Sequence, residues 1–346
     1  MSEYSVAVLG ASGYAGGEFL RIALGHPALR VVQATSRRHA GRPLHAAHPN
    51  LRGVSDLRFV DPDDLAQADI VVSALPHGEL AQVVDQVASR AGVLLDLSAD
   101  FRLRDPDAYR RHYGEDHPRP ELLGGFVYAN PELHRADLAG ATRLAAAGCT
   151  ATAAILALAP AMLAGLLDPE RDGIVEVKVG SSAAGSAASA ATHHPERSGA
   201  VRTYAVTGHR HAAELEQELG STPRIHWTAT AIERIRGVLA TCHAFVRPGV
   251  TARDVLAAYR ERYARERFVR LIVGGSGIHR VPDPKVLDGS NICDVGFQLD
   301  EATGRLVALA ALDNLVKGTA GHAVQALNLA LGLPEETGLA FPGLHP

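Results

Sequence analysis

The chain is poor in lysine and in cysteine. Its 34 basic residues include only three lysines, Lys178, Lys285 and Lys317, and the rest are arginine. A heat-adapted composition enriches lysine with glutamate, so this bias reads as genome composition. Formal net charge is −4 and no basic block stands out, so no nucleic-acid partner is expected. No apolar run is long enough to span a bilayer, and no basic-then-apolar leader opens the chain. The three cysteines, Cys149, Cys242 and Cys293, are odd in number and far apart, which argues for a reducing cytoplasm and against a disulfide framework. Clustered metal-ligand spacings are also missing. His209 and His211 form only an isolated pair, so no metal is expected. The 346 residues suffice for two domains with sizeable cores.

What is present begins with a buried-type strand at residues 6–9. The turn Gly10-Ala11-Ser12-Gly13-Tyr14-Ala15-Gly16 follows, then a helix over 17–24 and a second strand over 29–34. Glycines at this spacing, between strand and helix, let a backbone approach a pyrophosphate that sits on the helix N-terminus. The binding residues are expected to be Gly10, Ala11, Ser12 and Gly13, with Ala34 at the end of strand two. An NAD-binding unit usually places an acid there for the ribose hydroxyls. Here Thr35, Ser36, Arg37 and Arg38 stand instead. Two guanidiniums and hydroxyls suit a 2′-phosphate, so NADP(H) is the expected cofactor.

Strand-helix alternation continues through a strand at 69–75, a helix at 79–90 and a strand at 93–97. The fold class expected is α/β, with a Rossmann-type doubly wound NADP domain over 1–147. A second, α+β domain over 148–313 is expected to hold a largely antiparallel sheet and to serve catalysis and dimerisation. Its strands are placed at 174–179, 224–229, 237–246, 295–299 and 306–312, with a helix at 252–265 covering one face. Residues 314–346 are expected to return to the first domain through a helix ending at 331.

Cys149 opens an apolar helical stretch immediately after Gly148. A cysteine in apolar sequence usually serves as a small hydrophobe. A thiol at a helix start feels the positive end of the macrodipole, which favours thiolate. Beside a nicotinamide, such a thiolate points to attack on an acyl carbon followed by hydride transfer. Backbone N–H groups after Cys149 offer an oxyanion hole. Cys242 and Cys293 read as structural thiols on strands. His209 and His211, ahead of a helix at 212–219, are the acid/base candidates, with His209 preferred because it follows the turn glycine. The loop 180–186 and the run His193-His194-Pro195-Glu196-Arg197 offer small residues, hydroxyls and charge for a leaving phosphate. Ser182, Arg102, Arg197, Arg202 and Arg210 are the substrate or partner candidates.

Seven runs in one order carry a resemblance: 10–16, Leu75-Pro76-His77-Gly78, 97–102, Gly148-Cys149, Gly208-His209-Arg210-His211, 236–241 and 313–318. Along nearly its whole length the chain resembles the N-acetyl-γ-glutamyl-phosphate reductase family. That resemblance implies NADP-dependent reductive dephosphorylation of an acyl phosphate, with Cys149 as nucleophile, a histidine of the 208–211 run as acid/base and Asn314 orienting the nicotinamide. Arginine-pathway members usually carry an aromatic residue, then Pro-Thr, after the cysteine; here Thr150-Ala151-Thr152 stands. Their Ser-Gly-Val-Ser-Gly-type loop is replaced by residues 181–185. These features, with 193–197 and the ending 341–346, resemble the lysine-branch subfamily. Its substrate is an α-aminoadipyl phosphate tethered to a small acidic amino-group carrier protein, and some members also take carrier-bound glutamyl phosphate. The resemblance therefore implies a carrier-protein partner, a homo-oligomer and a place in lysine, and potentially arginine, biosynthesis. The rival readings are the N-acetylated substrate, an aspartate-semialdehyde dehydrogenase and a non-catalytic NADP-binding redox sensor.

Overall fold

The computed structural model describes residues 3–345. Its first sheet grows from β1 (Tyr4–Leu9), α1 (Tyr14–Ala23), β2 (Leu29–Thr35), β3 (Phe59–Val60), β4 (Ala68–Ser73), α2 (Glu79–Ala88), β5 (Ala91–Asp96), α3 (Pro106–Tyr113), β6 (Val127–Ala129), α4 (Pro131–Leu138) and β7 (Arg143–Ala146). The strands lie in the order β3-β2-β1-β4-β5-β7-β6 and every pairing is parallel. Helices cover parallel sheets on both faces, which is why β1 and β4 are apolar almost without alternation. The order reverses between β1 and β4, and ligands of such sheets bind outside the carboxyl ends at that point. α1 begins at Tyr14, three residues before the position expected, because the last turn of the glycine run is already helical.

The second sheet follows α5 (Cys149–Leu163) and contains β8 (Gly173–Val179), β9 (Val201–Ala205), β10 (Ile225–Ile232), β11 (Val238–Phe245), β12 (Val269–Leu271), β13 (Cys293–Asp300) and β14 (Arg305–Leu312), with α6 (His194–Arg197), α7 (Ala212–Leu219) and α8 (Ala252–Tyr263) between them. The order is β12-β13-β14-β11-β8-β10-β9. Most pairings are antiparallel, but β8 with β10 and β12 with β13 are parallel. The intervening α7 gives β10 the long crossover that a parallel neighbour of β8 needs. Strands β9 and β12 were not expected: β9 is largely exposed and β12 spans only three residues, so neither shows a burial rhythm.

Two helices lie against this sheet: α5 over β11 and β14, and the expected one near 252–265 over β12 and β13, where Tyr259 meets Phe297 at 4.8 Å. Residues 150–161 of α5 are all buried, as befits a helix apolar on every side. α8 (Ala252–Tyr263) packs beside it. Pro160 has no N–H for the Leu156 carbonyl one turn earlier, and the Tyr263 hydroxyl donates to that carbonyl at 2.6 Å. Tyr259 donates likewise to the Ala157 carbonyl at 2.6 Å.

The chain leaves β14 through a π-helical turn at Val316–Ala320 and enters α9 (Gly321–Ala330), which packs on α1, α4 and β7. His322 Nε2 of α9 lies 2.9 Å from Glu132 Oε2 of α4. The chain divides into two compact units, residues 1–147 with 319–340, and 148–318 with 341–346, so the segment 314–346 is shared between them. Among the described residues no helix is long and apolar enough to cross a membrane.

Asp96 closes β5 with its side chain fully buried. Oδ1 accepts the Ser98 N–H at 2.8 Å, while Oδ2 has no hydrogen-bond partner. Burial, and then the charge of Asp100, push this carboxyl up to about 6. A raised folded pKa means that the folded state holds the proton more tightly. The associated stability is complete below the ordinary carboxylate pKa and is lost as pH rises through 6. Asp96→Asn is therefore expected to raise stability by about 2 kcal/mol near pH 7.5 and to leave it unchanged near pH 4, read from urea midpoints at the two pH values.

Candidate active site

The first unit brings the expected nucleotide residues together because β1 and β2 are neighbours. The Ala11 N–H donates to the Thr35 carbonyl at 3.0 Å, and Ser12 Oγ lies 2.9 Å from Ser36 Oγ. Gly10 has φ +66°, and a Cβ there would sit 2.6 Å from the Ala74 carbonyl oxygen, so only glycine serves. Gly13 caps α1. Ala34 and Thr35 are fully buried under this turn. A cavity of 740 Å³ opens beside it, lined by Gly10, Ser12, Ser36, Arg37 and Arg38 at its polar end and by Leu65, Leu75, Val83 and Val87 along an apolar wall. Its shape and chemistry fit a nucleotide, with the base against the wall and phosphate near the guanidiniums. Arg37 Nη2 is 3.6 Å from Asp63 Oδ1, both largely exposed.

Two runs quoted above also meet in this unit. His77 Nδ1 lies 2.8 Å from Asp100 Oδ1, and the Asp100 carboxylate accepts the Gly78 and Ala81 N–H groups at 2.6 and 3.0 Å. Arg102 is buried, and it donates to the Ala146 carbonyl at 2.8 Å and to the Leu97 carbonyl at 3.4 Å. Its guanidinium thus braces the strand ends.

The second unit carries the thiol. Cys149 is the first residue of α5, and Gly148 is its N-cap. The Gly148 N–H donates to Glu214 Oε2 at 2.8 Å. Glu214 lies three residues beyond His211 on α7, fully buried, with Oε1 3.8 Å from His211 Nε2. On the other side of that ring, Nδ1 lies 2.5 Å from Thr150 Oγ1. His211 is therefore clamped between the first turn of α5 and a buried carboxylate. His209 is held differently. It stacks on Trp227 at 5.7 Å and 14°, and its Nε2 lies 3.4 Å from the Tyr204 hydroxyl. Burial, and then the Arg210 cation, push His209 down to about 4.

The remaining candidates are dispersed. Ser182 and Asn314 hold each other, Asn314 Nδ2 donating to Ser182 Oγ at 2.9 Å, and Asn314 Oδ1 accepts the Gly237 N–H at 2.8 Å. Asn314 belongs to the second unit, and its amide holds that turn. Arg197 donates to the Ile232 carbonyl, Arg202 Nη2 lies 3.7 Å from Glu196, and Arg210 is exposed beside His209. Cys242 and Cys293 are buried on β11 and β13, and burial pushes the Cys242 thiol up.

Glu214, Tyr204 and Trp227 escaped the reading of the sequence. Only Glu214 had a legible signal, its i, i+3 spacing from His211 on a helix.

Residues 5–141 match the family model of the semialdehyde dehydrogenase NAD binding domain, and 149–314 match that of the semialdehyde dehydrogenase dimerisation domain. The chain is 55% identical over 342 residues to the LysW-L-2-aminoadipate 6-phosphate reductase of Deinococcus radiodurans, covering 99% of this chain and 98% of that protein. It is 48% identical over 346 residues to a LysW-L-2-aminoadipate/LysW-L-glutamate phosphate reductase of Natronomonas pharaonis, covering 100% and 99%. Among solved structures, aspartate semialdehyde dehydrogenase II of Vibrio cholerae shares the fold with a TM-score of 0.70 at 16% identity, over 96% of this chain and 99% of that one.

A Cβ on Gly148 would lie 2.6 Å from His211 Nε2 and 2.7 Å from Glu214 Oε1. Gly148→Ala is expected to displace the clamp and lower turnover by about 100-fold, with cofactor affinity within about twofold of wild type. Steady-state kinetics and a fluorescence titration of bound nucleotide read the two quantities.

Proposed function

The chain belongs to the semialdehyde dehydrogenase family of oxidoreductases, in the branch of LysW-aminoadipate phosphate reductases, and from that membership we propose a specific reaction. It reduces the acyl phosphate of a carrier-protein-linked α-aminoadipate, and of glutamate where offered, to the semialdehyde with NADPH. The observation that carries the chemistry is Cys149 at the N-terminus of buried α5, where the next residue, Thr150, touches His211, whose ring in turn meets that of His209.

Cys149 Sγ attacks the acyl carbon and phosphate leaves, giving a thioester. The N–H groups of Thr150 and Ala151, in the first turn of α5, precede its first intrahelical bond from Thr152 to Gly148 and are available to the carbonyl oxygen. Bound NADPH supplies the hydride that takes the thioester to the aldehyde level. The Gly10–Gly13 turn holds the pyrophosphate, and Arg37 with Arg38, Ser12 and Ser36 holds the 2′-phosphate. His211, clamped by Thr150 and Glu214, positions the first turn of α5, and His209 serves the reacting oxygen. Arg197, Arg202 and Arg210 form a basic rim for an acidic carrier.

The second unit also suits self-association. Ile174, Leu239, Val307 and Leu309 lie on the sheet face away from α5, interleaved in register with Glu176, Lys178, Thr241 and His243. A homodimer through that face, working in the cytoplasm with its three free cysteines reduced, completes the reading.

Arg37→Ala is expected to weaken NADPH binding by about 1–3 kcal/mol and to leave NADH binding unchanged, measured by titration calorimetry. The substrate is tested with semialdehydes in the phosphate-dependent reverse direction. kcat/KM for the carrier-linked compound is expected to fall steeply with salt, while that for a free N-acetylated analogue stays low and flat. Equal efficiency for both at low salt would assign the protein to N-acetylated substrates instead.

A further inference from the structure

We propose that Tyr204 is the hydrogen-bond donor to the carbonyl oxygen of the Cys149 adducts, with His209 behind it as a neutral imidazole locked in its Nε2–H tautomer. The proposal rests on the reductase reading above and deepens it.

The backbone fixes the tautomer. The His211 N–H donates to His209 Nδ1 at 3.2 Å. A ring nitrogen that accepts carries no hydrogen, so the neutral ring bears its hydrogen on Nε2. Nε2 lies 3.4 Å from Tyr204 Oη. The imidazole therefore donates to the phenol, and the phenol's own hydrogen is directed to a third group. Packing holds the ring in place: Trp227 is stacked on it, His211 meets it edge-on at 4.7 Å and 86°, and Tyr204 meets it edge-on at 5.9 Å and 71°. Protonating Nδ1 would set N–H against N–H, and burial with the Arg210 cation already holds the ring neutral above pH about 4. Geometry links Tyr204 to the thiol's helix: its hydroxyl meets His209, whose ring meets that of His211, and His211 Nδ1 lies 2.5 Å from Oγ1 of Thr150, the residue after Cys149. Tyr204 is half exposed, yet desolvation of its phenol, and then the charge of Cys149, push it up to about 12, so it remains a donor.

The reaction asks for a donor, not for an acid. Thiolate attack forms the C–S bond and moves the carbonyl π pair onto oxygen; collapse breaks the bond to phosphate, which leaves with the electron pair. Hydride addition to the thioester carbon again moves the π pair onto oxygen. Collapse re-forms the carbonyl, breaks the C–S bond and returns the Cys149 thiolate. No proton crosses to the substrate oxygen in either step, and the oxygen is negative in both adducts. A neutral phenol backed by a neutral imidazole stabilises that charge without being consumed.

Tyr204→Phe keeps the ring and removes the donor. It is expected to lower kcat about 100-fold with KM and nucleotide affinity within about threefold of wild type. His209→Gln, which retains an N–H donor, is expected to keep more activity than His209→Ala. Nitrogen NMR of the free protein is expected to show His209 neutral and protonated on Nε2 from about pH 5.5 to about pH 8. Tyr204→Phe turning over within about threefold of wild type would overturn the proposal, as would an Nδ1–H tautomer or an imidazolium titrating near the ordinary histidine pKa. A wild-type protein inert toward every semialdehyde, with the Nε2–H tautomer present, would overturn the reductase reading and the donor role together.

Discussion

Glu214 has no solvent exposure, and its carboxylate accepts the N–H of the residue that begins the helix of the thiol. The site of the second unit depends on that bond. It joins α7 to α5, so the run 208–211 and Cys149 share one frame although they are about sixty positions apart in the chain. It also spares Gly148 a buried, unpaired N–H, which would cost about 1–3 kcal/mol. With one oxygen committed to the backbone, the other faces His211, and Thr150 closes on the far side of that ring at 2.5 Å. The residue after Cys149 thus anchors a histidine, a task that an aromatic side chain there would not perform.

Around this bond the protein separates rigid parts from open ones. α5 is apolar on every side and carries a proline whose orphaned carbonyl is answered by Tyr263, so the thiol stands on a helix seated in the core. Loop 181–200 and edge strand β9 are exposed by contrast, and they carry Arg197, Arg202 and Tyr204. A thiol fixed in the core beside exposed chain is the arrangement on which the proposed carrier-borne substrate rests, because reacting atoms need preorganisation while a carrier needs access.

The two histidines of the 208–211 run differ in environment more than in sequence. His211 is held by side chains at both ring nitrogens. His209 receives a backbone N–H at one and reaches a phenol with the other. Position after a glycine gives no physical reason to separate the two rings. What separates them lies in strands β9 and β10, which supply Tyr204 and Trp227 from positions with no motif of their own.

Local chemistry was legible in the sequence wherever covalent neighbours enforce it. The glycine turn, the missing acid after β2, the apolar run behind Cys149 and the parallel first sheet follow from periodicity and from residues adjacent in the chain. So did the helix start at Cys149, because a helix start is a local event. The tertiary structure alone decided that α5 joins α8 on the second sheet, which strands there run parallel and how residues 314–346 divide. It alone also gave Glu214, Thr150, Tyr204 and Trp227 their partners. Each of these outcomes depends on contacts between residues far apart in the chain. Such contacts form only when burial of apolar faces brings strands and helices together, and no spacing along one segment encodes them.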